Sequence, residues 1–429
     1  MRYDPIDSAL FVENRKRLVA MLKPRSIAIV HANDLLPTNA DGTLPFGQNR
    51  DLFHLSGIDQ EESILVLFPD AADEKHRELL FVRETSELIA IWEGAKLTKE
   101  TATERSGITE VHWLDNFEKM FRGLILQAEH VYLNSNEHPR AMAIVETRDD
   151  RFRKDCMARF PLHKYERLAP LMHDLRCRKN PVEVALVKRA CDITESGFRR
   201  VLGFLKPGVT EYEVEAEFLH EFVRKRSKGF AYTPIIASGI NACVLHYIEN
   251  DQPCKDGELL LLDVAAEYAN YNADMTRTIP VNGRYTDRQK AVYNAVLRVF
   301  RGASAMLQPG IMLKGYQKEV GKMVEEELIG LGLLETDKVK EQDENEPLYR
   351  KYFMHGTSHH LGLDVHDVGN TNKPIEEGML FTVEPGIYIR EEGFGVRLEN
   401  DFVIREGGNL DLMATIPIEA EEIEDLMNA

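Results

Sequence analysis

The chain has 429 residues, of which 43% are hydrophobic, and carries a net charge of −18 at pH 7. That length sets an expectation of two or three domains, and the apolar content excludes disorder of the whole. The acidic balance excludes sequence-independent nucleic-acid binding, which needs basic patches, so no nucleic-acid partner is expected. Cys156, Cys177, Cys191, Cys243 and Cys254 form no C-x-x-C pair and are odd in number, ordinary usage for a reducing compartment. The N-terminal MRYDPIDSAL lacks the basic and apolar regions of a secretory signal. No apolar stretch approaches the roughly 18 residues of a membrane span. A cytoplasmic protein with no membrane association is expected.

Over the first 170 or so residues, short β-like runs alternate with polar helical segments such as Asp115 to Gln127. The runs are Ser26 to His31, Ser63 to Phe68, Leu79 to Val82 and His130 to Leu133. This alternation predicts an α/β unit built on a parallel or mixed sheet. No G-x-G-x-x-G follows any of these runs, so a dinucleotide fingerprint is absent. The basic segment Arg176 to Asn180 leads into Pro181, and Asn followed by Pro marks a helix start. Leu186, Ala190, Ile193, Gly197 and Val201 mark one apolar face, and the helix is expected to stop near Pro207-Gly208. The domain boundary is placed at about residue 174, giving domains 1–174 and 175–429. Leu205-Lys-Pro-Gly-Val209 and Leu307-Gln-Pro-Gly-Ile311 form a faint internal echo, each between two predicted helices. Thr210-x-x-Glu213 and Thr286-x-x-Gln289 both have capping-box form. Two related halves around a shared sheet are expected.

The chemistry concentrates in five residues of the second half: Asp263, Asp274, His359, Glu384 and Glu399. Asp263 closes the leucine run 259–262, and a hairpin turning near Tyr268-Ala269 would set it directly opposite Asp274. Like charges opposed on neighbouring strands are destabilising, the more so when buried, and a bound cation removes that conflict. Glu384 and Glu399 repeat the pattern about a centre at Glu391-Glu392, beside Gly393 and Gly395. Between the pairs lie His355, His359, His360 and His366, where Gly356 and Gly362 argue against a helix. Spacing alone does not say which histidine is a ligand. Oxygen-rich ligation of this kind suits hard divalent cations, and two such ions would favour hydrolysis.

Several motifs together resemble aminopeptidase P, the Xaa-Pro aminopeptidase family. They are His355-Gly-x-Ser-His359-x-Leu-Gly-Leu-Asp-Val-His366-Asp-Val-Gly, Thr382-Val-Glu-Pro-Gly-Ile-Tyr388, Gly395-Val-Arg-Leu-Glu399, and Leu262-Asp263 followed by Ala273-Asp274-Met-Thr-Arg-Thr. Gln48-Asn-x-Asp51 and Ser56-Gly57 fit the first domain of that family. The resemblance implies a mixed-sheet N-terminal α/β domain followed by a pita-bread catalytic domain, the fold shared with prolidase, methionine aminopeptidase and creatinase. It implies that Asp263, Asp274, His359, Glu384 and Glu399 hold two divalent metal ions per subunit, usually manganese. Asp274, Glu399 and a hydroxide would bridge them, and Glu384 would also take the proton of that nucleophile. His246 would lie near the substrate amide, and His355 and His366 would line the proline side. Arg397 would tie the outer shell together with Tyr388 beside it. Trp92 resembles a tryptophan that oligomeric members lend to a neighbour's active site, the other reading being a packed aromatic of the first domain.

The implied substrates are peptides with proline second, whose amide has no N–H for an ordinary peptidase groove to hold. A homo-oligomer, dimer or tetramer, is expected. A prolidase-type Xaa-Pro dipeptidase shares nearly the whole ligand set, but Ser358 and the length of the first domain favour the aminopeptidase. A metal-free pita-bread binding protein is the alternative of another class, and the complete ligand set argues against it.

Overall fold

The computed structural model describes residues 2–141 and 144–429. It divides into two units, one spanning Pro5–Arg176 and the other Cys177–Ala429 with the N-terminal residues up to Asp4. No helix among the described residues is long and apolar enough to cross a membrane.

The first unit is built on six strands: β1 (Ser26–His31), β2 (Ile64–Leu67), β3 (Glu78–Val82), β4 (Glu110–Trp113), β5 (His130–Leu133) and β6 (Lys164–Arg167). They form a mixed sheet in the order β4-β3-β2-β1-β5-β6, with β1 antiparallel to β2 and parallel to β5. Every residue of β1 is buried because the sheet is covered on both faces. Alternate side chains serve opposite layers. Ala28, Val30, Leu65 and Leu80 join one core with Leu52 and Leu55, and Ile27, Ile29, Val66 and Phe81 join the other with Phe117 and Phe121. The helix expected from Asp115 to Gln127 runs over Phe117–Ile125 after a 3₁₀ turn at Leu114–Asn116. Trp92 lies in this unit on the short helix Glu87–Glu93 and is 81% exposed, so it is not a packed core aromatic.

The second unit carries the echo in three dimensions. The helix Pro181–Phe204 starts where Asn180 accepts hydrogen bonds from the N–H groups of Val182 and Glu183, with Pro181 in the first turn. A second helix, Glu211–Arg224, packs against it, and both expected capping boxes form, at Thr210 and Thr286. The helices Asp287–Met306 and Leu313–Gly330 repeat the arrangement. After the first pair come β7 (Ile235–Ser238), β8 (Leu259–Asp263), the short β9 (Glu267–Tyr268) and β10 (Tyr271–Asn272), and β11 (Thr276–Pro280). After the second pair come β12 (Leu380–Val383), β13 (Gly386–Ile389), β14 (Phe394–Arg397), β15 (Asn400–Val403) and β16 (Leu410–Asp411). All ladders in this unit are antiparallel, and a bridge between Thr276 and Glu399 joins the strands of the two halves.

The register of the first hairpin differs from the sequence expectation. Its turn falls on Ala269-Asn270, both in the left-handed region at φ 55° and 67°, the two-residue geometry that matches strand twist. Asp263 therefore pairs with Thr276, and Asp274 sits two positions nearer the turn. A slip of two keeps the same face, because side chains alternate with period two. The two aspartates still meet, as diagonal rather than direct neighbours. In the second hairpin, Val383 pairs with Asn400 and Gly386 with Arg397, which sets Glu384 across from Glu399 as the odd separation predicts.

The loop that carries the histidines is anchored from below. Lys179 Nζ lies 2.9 Å from Asp367 Oδ2, with both side chains 1% exposed. Lys179→Met leaves the Asp367 carboxylate buried without this counter-charge and is expected to lower stability by about 3 kcal/mol in urea unfolding. Adding Asp367→Leu should recover most of that loss, and a single-variant cost under about 1 kcal/mol would show that the pair does not anchor the loop.

Candidate metal centre and active site

Two antiparallel hairpins joined at the Thr276–Glu399 bridge bring the five predicted residues into one cluster, with Asp274 and Glu399 buried and Asp263, His359 and Glu384 half-buried. Asp263 ends β8, Asp274 precedes β11, and Glu384 and Glu399 lie just beyond β12 and just before β15. His359 arrives on a non-helical segment laid along β12. The Thr382 N–H donates to the carbonyl of His359, and the Glu384 N–H donates to that of Thr357 at 2.8 Å. Gly356 and Gly362 thus belong to irregular chain, Gly362 at the start of a bend, and not to a helix.

Ligand-type atoms of Asp274, His359 and Glu399 all lie within 4.8 Å of one another. His359 Nε2 is 3.4 Å from Asp274 Oδ2 and 3.7 Å from Glu384 Oε1. Its Nδ1 donates to the carbonyl of His360 at 2.9 Å, which turns Nε2 toward the carboxylates. The Tyr232 hydroxyl stands 2.6 Å from Asp263 Oδ1 and 2.8 Å from Asp274 Oδ1. Thr276 Oγ1 donates to Glu399 Oε2 at 2.7 Å, and the Asp274 N–H donates to Asp401 Oδ2 at 3.1 Å.

Arg397 reaches three partners with its fork. Its Nη2 donates to Asp263 Oδ2 at 2.5 Å, its Nη1 to the Tyr388 hydroxyl at 2.8 Å and its Nε to Thr276 Oγ1 at 3.1 Å. Tyr388 in turn lies 2.8 Å from His355 Nε2, while His355 Nδ1 lies 2.8 Å from the carbonyl of Gly356. The chain of donors therefore runs from Arg397 through Tyr388 to a neutral His355. Gly395 is needed here, since a Cβ would fall 2.6 Å from Tyr388 Cδ1 and 3.0 Å from the Ala242 carbonyl.

The electrostatics follow from burying like charges together. Burial, opposed by Arg397, pushes the Asp263 carboxyl up. Glu384 rises to about 7, driven by burial and the neighbouring aspartates against the pull of His359 and Arg397. Glu399 is driven well above the ordinary range by burial and then by Asp274, Glu384 and Asp263. Burial would lower His359, but its contact with Asp274 and the charge of Glu384 lift it to about 9. His355 falls to about 3 through burial, Arg397 and His246. The donor set fits divalent cations: hard carboxylate oxygens, one oriented imidazole and a deficit of positive charge among them.

Of the other predicted residues, His366 packs its ring 4.3 Å from that of His359, and His246 is exposed yet close enough to influence His355. Trp92 belongs to the other unit. Sequence reasoning missed Tyr232, Thr276, Arg277 and Asp401. Arg277 is fully buried and donates to the carbonyls of Thr276 and Glu399 at 2.9 and 2.8 Å, which ties the two hairpins together. Its place beside Asp274 and Thr276 in the strand was the available signal; Tyr232 had none.

A paired-hairpin scaffold presenting two carboxylate pairs and an oriented histidine defines a metallopeptidase-type centre. Residues 185–406 match the model of metallopeptidase family M24, and residues 11–132 match that of the aminopeptidase P N-terminal domain. The chain belongs to metallopeptidase family M24. It is 34% identical to the Xaa-Pro aminopeptidase of Escherichia coli strain K12 over 98% of this chain and 97% of that protein. The structure of zinc-substituted E. coli aminopeptidase P in complex with product superposes with a TM-score of 0.87 at 34% identity, over 99% of each chain. The aminopeptidase PepP structure from Pseudomonas aeruginosa superposes with a TM-score of 0.89 at 32% identity, over 99% of this chain and 98% of that one.

Tyr232→Phe removes the hydroxyl that holds Asp263 and Asp274 together. Its Mn²⁺ affinity, measured by titration calorimetry, is expected to fall about 10- to 100-fold. An unchanged affinity would remove Tyr232 from that role.

Proposed function

We propose that this protein is a metal-dependent Xaa-Pro aminopeptidase that releases the first residue from peptides with proline second. The observation that carries this reading is the convergence of Asp263, Asp274, His359, Glu384 and Glu399 beside the Arg397–Tyr388–His355 chain. Relatives named Xaa-Pro aminopeptidase that align over nearly the whole length support the substrate class. Two divalent ions bound by the five residues would supply Lewis acidity and an activated water at neutral pH. The oxygen-rich donor set favours manganese.

Glu384, beside the other carboxylates and 3.7 Å from His359 Nε2, is the group suited to accept a proton at a carboxylate oxygen and return it to the leaving proline nitrogen. That nitrogen carries no proton in the peptide and needs one to depart as an amine. His355 acts as a fixed neutral wall, since both of its ring nitrogens are already engaged. His246 and His366, both exposed, are left to meet the substrate. The five buried free cysteines accord with a cytoplasmic location. The exposed Leu88, Ile91 and Trp92 accord with a homo-oligomer.

The Mn²⁺-loaded protein should release arginine from Arg-Pro-Pro, lose that activity to a chelator and regain it with Mn²⁺. Cleavage confined to Xaa-Pro dipeptides would identify a prolidase instead, and a protein that neither binds metal nor cleaves would refute both. Glu384→Ala should lower kcat at least about 10³-fold, and unchanged turnover would refute its role.

A further inference from the structure

Glu211 opens the helix Glu211–Arg224 and is fully buried, yet the groups gathered on its carboxylate are all neutral donors. Oε1 accepts from the Ser238 N–H at 2.8 Å, the Ser238 hydroxyl at 2.7 Å and Asn241 Nδ2 at 3.3 Å. Oε2 accepts from the Tyr247 hydroxyl at 2.7 Å and the Gln252 N–H at 3.0 Å. All five donors come from one stretch of chain, residues 238–252. The end of that stretch is also zipped along the residues before the helix: the Cys254 N–H donates to the carbonyl of Val209 and the Glu211 N–H to that of Gln252.

This stretch borders the metal centre. The Ala242 carbonyl sits against Gly395 of β14, and Arg390 donates to the carbonyl of Cys243 at 3.3 Å. Its inner side is thus fixed by Glu211 and β14. Its outer side shows His246 with Ile240, Val244 and Ile248, all exposed. Exposed apolar side chains close in sequence to a histidine left to meet the substrate have the character of a surface that receives it.

We propose that Glu211 is a positioning residue for substrate: it clamps residues 238–252 into a ledge that presents His246 and these apolar side chains to the peptide beyond the scissile bond. The proposal rests on the Xaa-Pro aminopeptidase reading. A carboxylate suits the task because it offers acceptor sites on both oxygens and carries no donor. Glutamine keeps the volume but has one acceptor oxygen, and its NH₂ would face two of the donors. Those donors, buried, lose their partner, and the ledge loosens.

The test is a double-mutant cycle on the Mn²⁺-loaded enzyme with Arg-Pro-Pro, comparing wild type, Glu211→Gln, His246→Ala and the double variant. Each single variant is expected to lower kcat/KM about tenfold, mainly through KM, and the double variant to lie within about threefold of the weaker single. Bound manganese should be unchanged in all four. Losses that multiply to about a hundredfold, or full activity in Glu211→Gln, would overturn the proposal. If Glu211→Gln does not fold, Tyr247→Phe replaces it: it removes one donor and should raise KM about threefold, but only when His246 is present. A threefold rise that persists in the His246→Ala background would equally overturn it. An inactive wild-type protein would instead refute the functional reading on which the ledge depends.

Discussion

Four carboxylates, two of them buried and two half-buried, crowd against one another at the meeting of two hairpins, and that repulsion is the constraint to which the rest of the catalytic unit answers. Two unit charges about 4 Å apart cost about 4 kcal/mol even at an effective dielectric constant near 20. Burial adds a further penalty on each charge. The upward displacement of Asp263, Glu384 and Glu399 is that cost written as proton affinity. A chain free to relax would swing such side chains apart. Here the backbone limits it, because each acid lies in or within two residues of a ladder whose register is set elsewhere.

The ladders do this by stacking four positions in a row. Asp263 faces Thr276, Thr276 bridges to Glu399, and Glu399 faces Glu384. Arg277 secures the seam by donating to the carbonyls of both Thr276 and Glu399 from a fully buried position. Its fork also reaches Asn400 and the carbonyl of Pro417, so the seam is tied to chain well beyond the hairpins. The convergence is thus a property of backbone pairing, and side-chain hydrogen bonds such as that of Tyr232 refine it.

The two hairpins differed in how openly the sequence displayed their registers. The second turns beside Gly393, at φ 74°, in a polar tip, and its centre could be counted from the odd separation of Glu384 and Glu399. The first turns on Ala269-Asn270, where alanine gives no hint of a left-handed conformation, so the sequence pattern points to a turn one residue early. The difference leaves both aspartates on the expected face, because a two-residue slip preserves side-chain direction. In the first unit, β1, β2, β3 and β5 were legible as apolar runs, while β4 and β6 are short and half-exposed and left no such trace. Tyr232 and Asp401 approach the centre from distant parts of the chain, and no local pattern marks a residue whose function is to touch an aspartate 31 or 127 positions away.

Arg397 explains how so acidic a cluster keeps a defined shape. Its charge is buried, yet Tyr388, Asp263 and Glu399 hold its proton affinity well above the ordinary value, so it remains a fixed cation. The planar fork spends separate N–H groups on Asp263, Thr276 and Tyr388. A lysine in its place would offer a point charge on a flexible stem and could not span three partners in one plane. Neutralising one acid is therefore only half of what Arg397 does. By fixing Tyr388, it also fixes His355, whose depressed proton affinity follows in part from the same guanidinium. One side chain thus couples the charge of the metal-binding cluster to the neutrality of the wall beside it, so the two cannot change independently.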